Sequence, residues 1–150
     1  MKADRRQHLT ARLIRGGLAL LSAGLLVVSL PSPDIGWLGW CALVPLLLAL
    51  QGLRPGQAAA LGLLTGIVAS FGIYGGVYPA VWAAATAWAL RQEIPLLICA
   101  PVLWLLVDYL RGHAGFLALP WGTLAQTQHR NLPLLQIANL IGEHGVTFLV

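Results

Sequence analysis

Between Arg54 and Arg91 the sequence runs for 36 residues without a charged side chain. No other feature limits the fold as strongly. One crossing of a bilayer takes about 20 apolar residues, so this run is too long for one helix and tight for two. A break is written near its middle by Gly72, Gly75, Gly76 and Pro79. The spacing predicts a short helical hairpin, Ala58–Phe71 and Tyr78–Leu90; the alternative is one long helix, tilted or kinked. Charge placement favours the hairpin. Short cytoplasmic loops carry the Lys/Arg excess, and two crossings return Arg91 to the side on which Arg54 lies, whereas one does not.

The rest of the chain follows the same pattern. Only 9% of the 150 residues are charged, against roughly 25% in a soluble domain. That excludes a soluble enzyme, a disordered segment and a nucleic-acid binder. The net charge of +4 belongs to the N-terminus. Five basic residues face one acid before Gly16, and beyond it four basic residues balance four acids. Residues 1–15 are therefore expected as a basic cytoplasmic tail, and 16–150 as a membrane domain. The first span is expected to begin near Leu13, with Arg15 snorkelling to the interface. A secretory signal peptide is the alternative, but Val28-Ser29-Leu30 makes a poor cleavage site. Pro31-Ser32-Pro33-Asp34 forces a turn. The 19 uncharged residues Ile35–Leu53 are then long enough to cross. Trp37 and Trp40 stand at their start, where an aromatic belt belongs. Ile94–Leu110 is the next expected span, with Pro95 in its first turn and Pro101 predicting a kink. Gly112–Asn131 reads as an interfacial or re-entrant segment. Leu132–Gly142 is too short to span alone. Gly145–Val150 opens another apolar run, as in the front portion of a longer protein.

Few residues in this pattern carry chemistry. Ala58, Gly62, Gly66 and Ser70 recur every four residues, a small-residue stripe that lets a second helix approach closely; a substrate groove is the minority reading. His8, His113, His129 and His144 have no ligand spacing, so no metal site is expected. Cys41 and Cys99 lie in apolar runs and read as small buried hydrophobes. Asp108 is the one acid deep enough to matter, since ionisable groups within a span are usually paired or functional. Arg111 falls on the same helix face, three residues on, together with Trp104. Three readings stay open: an ion pair that closes the helix, an arginine meeting a lipid phosphate, or a proton or ion pathway.

These residues also carry a resemblance. Asp108-Tyr109-Leu110-Arg111-Gly112, then Pro120-Trp121-Gly122, then Ala125-Gln126-Thr127-Gln128 resembles the membrane domain of apolipoprotein N-acyltransferases. The likeness continues in Leu135-Gln136-Ile137-Ala138 and in Gly142-Glu143-His144-Gly145-Val146-Thr147-Phe148-Leu149-Val150. Upstream it takes in Leu30–Ile35 with Trp37 and Trp40, and Ala100-Pro101-Val102-Leu103-Trp104. The resemblance implies an enzyme of the bacterial inner membrane that moves an acyl chain from a phospholipid to the N-terminal amine of a diacylated lipoprotein. Its chemistry would belong to a periplasmic nitrilase-like domain with a Glu–Lys–Cys triad. No residue here matches that triad. The only lysine is Lys2, and Cys41 and Cys99 sit in lipid-facing runs that disfavour a thiolate. Ile73–Ala80 resembles only the later part of a longer stretch in the family, whose periplasmic loop is mostly missing here.

The expectation is thus an all-α polytopic bundle. It has about five spans, or four if residues 55–90 cross once, plus an interfacial segment and the start of a further span. The N-terminus is cytoplasmic, and the Pro31–Asp34 and Arg111–Asn131 loops are periplasmic. The resemblance implies that the domain acts as scaffold, inactive alone, with phospholipid and diacylated lipoprotein as partners, a nitrilase-like domain beside it and no cofactor. Asp108, Arg111, Trp121 and Gln126 are candidate headgroup contacts. The rival is a non-enzymatic membrane protein, a small transporter or assembly factor.

Overall fold

The computed structural model describes residues 2–30, 35–70, 73–118 and 122–150. Among these the secondary structure is helical throughout. The elements are α1 (Lys2–Ser29), a 3-10 segment (Gly36–Cys41), α2 (Val44–Leu50), α3 (Pro55–Ser70), α4 (Ile73–Arg91), α5 (Leu96–Gly112), 3-10 turns at Gly115–Leu117 and Ala125–Gln128, and α6 (Leu132–Leu149). Within α1, Leu9–Ser29 is long and apolar enough to cross a membrane; Gly36–Leu50 and Pro55–Ser70 are apolar but shorter.

The long charge-free run is two helices, α3 and α4, packed antiparallel. A side chain at Gly62 would strike Pro79 and Ala83, and one at Gly66 would lie 2.6 Å from the Gly76 backbone. The second arm differs from expectation. It starts at Ile73, not Tyr78, so Gly75, Gly76 and Pro79 lie inside α4. In place of a break, these small residues supply the surface against which α3 packs. Phe71 and Gly72 lie outside the described residues.

α1 begins at Lys2 and runs unbroken through the basic residues into the apolar stretch. Ala19, Ser22 and Ala23 make a fully buried small-residue face on it. Thr65 of α3 donates to the Ala19 carbonyl (3.1 Å) across that face.

The second expected span, Ile35–Leu53, is not one helix. Gly36 and Gly39 lie so close to Thr127 that any side chain there would collide, and the segment takes 3-10 form before α2 begins. α2 has only seven residues, well below the length at which a helix holds itself. α1 holds it at both ends. Ser22 Oγ accepts the N–H of Leu46 (2.8 Å), a first-turn donor without an intrahelical partner. The Arg15 guanidinium donates to the carbonyl of Gln51 (3.2 Å), the C-cap of α2, where a cation suits the helix dipole. Arg15 and Ser22 are seven residues apart, about 10 Å of helix, the same length as α2. The last tail arginine before the apolar run therefore caps a neighbour.

α4 ends in a Schellman turn. The Ile94 N–H reaches the Ala89 carbonyl (3.2 Å) and the Glu93 N–H reaches Leu90 (3.2 Å), with Glu93 at φ 61° where glycine is usual. Pro95 is the N-cap of α5 rather than a residue of its first turn, and α5 runs through Pro101 without ending. The core centres on Trp82, 1% exposed. Its indole N–H donates to the Ala100 carbonyl (2.9 Å), and its ring meets Trp104 edge-on at 5.0 Å.

Candidate functional site

Within the expected interfacial segment Gly112–Asn131, residues 123–128 fold back into the bundle. Thr123, Leu124, Ala125, Thr127 and Gln128 are all buried. Gln128 fixes the segment: its amide donates to the Gly36 carbonyl (2.7 Å), and its oxygen accepts the Trp40 indole N–H (3.2 Å). A polar residue so deep is tolerated because both ends of its amide are partnered. One more restraint comes from α6, whose backbone breaks helical geometry at Gly142 (φ 70°, ψ 177°). This conformation suits glycine almost alone. It reorients the following turn, so that Glu143 accepts a hydrogen bond from the Thr123 hydroxyl (2.7 Å).

Under this segment lies a cavity of about 320 Å³. Its walls are Leu26 of α1 and Leu30 just beyond it, Ala69 and Ser70 of α3, Tyr78 and Pro79 of α4, and Trp104, Val107, Asp108 and Arg111 of α5, with Gly122–Leu124 and Thr127. α1, α3 and α5 thus end at the chamber, and α5 lends it a charged pair, Asp108 and Arg111. Arg111 donates to Asp108 Oδ1 at 2.5 Å. The Asp108 side chain is 3% exposed and that of Arg111 15%. The other carboxylate oxygen of Asp108 has no partner, nor does the indole N–H of Trp104 or Nδ1 of His144. Unsatisfied polar atoms in an interior are costly, and here two belong to residues that line one cavity. Glu143 and His144 stand near enough to act on Asp108 electrostatically. Tyr109 stacks on His113 at 4.0 Å and meets His144 edge-on at 5.6 Å.

The structure therefore brings together some of the residues singled out in the sequence. Asp108, Arg111 and Ser70 line the same chamber. Ala58, Gly62 and Gly66 lie below it, buried on α3. Gln126 does not line it; its oxygen accepts the Gly122 N–H (2.8 Å) and shapes the loop. Trp121 lies outside the described residues. Thr123, Thr127 and Glu143 enter only through the fold, because the loop and the Gly142 break place them. The sequence signal that could have found Thr127 and Gln128 is the run of polar residues Gln126–Asn131 in a chain otherwise dominated by apolar ones. Among the described residues, no three His, Cys, Asp or Glu side chains gather as a metal site would need. Cys41 and Cys99 each direct the thiol at the carbonyl three residues back.

Such a chamber, with a charged pair at one end and apolar helix walls, suits an amphiphile better than a soluble metabolite. No solved structure matches the chain significantly. Residues 68–150 match the family described as Apolipoprotein N-acyltransferase N-terminal domain. The chain is 37% identical over 163 residues to an apolipoprotein N-acyltransferase of Geobacter metallireducens, covering 89% of this chain and 31% of the relative. It is 36% identical over 74 residues to apolipoprotein N-acyltransferase 2 of Treponema pallidum, covering 49% and 13%. A relative in Gloeobacter violaceus is 29% identical over 177 residues, covering 95% and 34%. Two of these alignments are longer than the chain itself, so those relatives carry inserted residues within the matched stretch. The chain spans about a third of the length of the first and third of these relatives, and the stretch matched by the family model contains α5 and the loop that line the chamber: it belongs to the apolipoprotein N-acyltransferase family.

Proposed function

We propose that this chain is the lipid-holding membrane domain of an apolipoprotein N-acyltransferase system in the bacterial inner membrane. It would present a phospholipid, and the diacylated lipoprotein that accepts the acyl chain, to a nitrilase-like catalytic domain. The observation that carries this reading is the chamber in which the Asp108–Arg111 pair meets apolar walls, within the region that matches the family. Arg111 retains exposure while Asp108 is almost fully enclosed, so the guanidinium fork is free on one side to take a phosphate bidentately. The multi-pass arrangement draws support from the antiparallel α3–α4 hairpin and from Arg15 reaching Gln51 beside Arg54. Both put the basic loops at the end opposite Arg111. Family membership, rather than shared hydropathy, separates this reading from a small transporter.

Neither cysteine has the surroundings of an acyl-transfer nucleophile. A nucleophile needs a base and an orienting cation beside it, and both thiols face backbone carbonyls. Purified protein given phospholipid and diacylated lipopeptide is expected to yield no triacylated product by mass spectrometry. Product that disappears in Cys41→Ala or Cys99→Ala would overturn this assignment.

A further inference from the structure

A second cavity, of about 140 Å³, lies beside the first. It is lined mainly by apolar side chains, among them Leu43, Leu47, Trp82 and Phe148. Trp104 and Leu124 line both cavities and so form the wall between them. On α5 the lower cavity touches Ala100, Pro101 and Trp104, and the upper one Trp104, Val107, Asp108 and Arg111. The two are therefore stacked along the helix, polar end uppermost. The wall is braced. Trp104 packs edge-on against Trp82 at 5.0 Å, and Trp82 is buried and held through its N–H by the Ala100 carbonyl.

We propose that Trp104, with Leu124, is an acyl-chain stop: it limits how far the tail of a phospholipid anchored at Arg111 can enter the domain. This rests on the lipid-holding reading of the upper chamber. The occupant follows from charge and shape. Arg111 offers an anion site at the top, and below Asp108 the α5 wall of the two cavities is mainly apolar, with Val107, Trp104, Pro101 and Ala100. From Arg111 down to Trp104 the helix rises seven residues, about 10 Å. One leaflet of a ~30 Å hydrocarbon core is about 15 Å deep. A tail of full leaflet length therefore outruns the upper chamber and must turn out into the bilayer, where further carbons gain nothing from the protein. The lower cavity matches the missing length. A dry apolar cavity of about 150 Å³ accepts a benzene-sized group, so 140 Å³ takes the last few carbons of a tail. Removing the wall joins the two spaces.

The test uses the purified chain in a mild detergent and a series of single-chain lysophosphatidylglycerols of increasing tail length, with binding read by native mass spectrometry. Affinity for the parent is expected to rise with each added methylene that packs inside the chamber and then to level off at a medium tail length. In Trp104→Ala the rise should continue to longer tails before levelling, with a gain of tenfold or more for the longest. Leu124→Ala opens the same wall from the loop side and should do likewise; it carries the test if Trp104→Ala does not accumulate. Trp104→Phe, which keeps a ring in place, should level off where the parent does. If both wall variants level off at the parent's tail length, Trp104 is no stop, while the lipid site itself stands. If the parent shows no dependence on tail length, or Arg111→Gln binds as well as the parent, the lipid does not lie in this chamber and both readings fall.

Discussion

At the scale of single residues, the behaviour of Asp108 and Arg111 separates structure from function. As an ion pair alone they need only opposite charges at positions three apart, and an exposed pair is worth roughly 0–1 kcal/mol. Yet Asp108 is enclosed, and one of its oxygens has no partner. Breaking such a pair costs more than exchanging it. For a lipid phosphate, in contrast, position 111 must be cationic. Arg111→Lys keeps the charge and loses the planar fork, so lysophospholipid binding should weaken by about tenfold or less. Asp108→Arg combined with Arg111→Asp should fold, judged by circular dichroism, and bind at least tenfold more weakly, since a charge-assisted hydrogen bond is worth roughly 1.5–3 kcal/mol. Unchanged binding by the exchanged variant would make Arg111 a purely structural partner of Asp108. The pair itself was legible from spacing, because residues three apart on a helix are neighbours. The enclosing walls were not, because Leu26, Ser70 and Tyr78 reach Asp108's chamber from distant parts of the sequence.

At the scale of elements, the glycines divide into two kinds that composition cannot tell apart. A side chain at Gly66 would meet the Gly76 backbone at 2.6 Å, whereas around Gly24 of α1 nothing lies within 4 Å. Backbone cannot move aside as a flexible side chain can, so Gly66→Ala should lower stability by about 1–3 kcal/mol. Gly24→Ala adds helix propensity at no steric cost and should raise it by about 0.5–1 kcal/mol. Thermal unfolding in detergent measures both; equal shifts for the two would mean that α3 and α4 are not closely packed at Gly66. The four-residue spacing of Ala58, Gly62, Gly66 and Ser70 is a helical period readable without a structure. Its partner is not readable, and neither is the Ala19–Ser22–Ala23 face of α1 that meets Thr65. The Ile35–Leu53 run shows the opposite limit. Hydropathy alone reads it as one span, but the approach of Thr127 onto Gly36 and Gly39 and the capping of α2 by α1 divide it in two.

At the scale of the whole molecule, the hairpin sets the orientation of every later element. Its antiparallel arms return the chain at Arg91 to the end where Arg54 lies, and α5 then carries Arg111 to the opposite end. A reporter fused after Leu90 should therefore read out cytoplasmic and one fused after His113 periplasmic, in keeping with the positive-inside rule. A periplasmic signal after Leu90 would show that residues 55–90 cross once. The all-helical class, the hairpin and the family likeness follow from the sequence alone. Charge depletion, run length and breaker residues are local properties, and lipid leaves a chain few alternatives to the helix. What only tertiary structure decided is where the runs are interrupted and what they enclose. The division of Ile35–Leu53, the passage of α4 through Pro79, the infolding of Thr123–Gln128 and the chamber over Asp108 all depend on contacts between residues far apart in sequence. Such contacts act through shape and through hydrogen bonds such as Gln128 to Gly36, 92 residues apart, and no local periodicity records them.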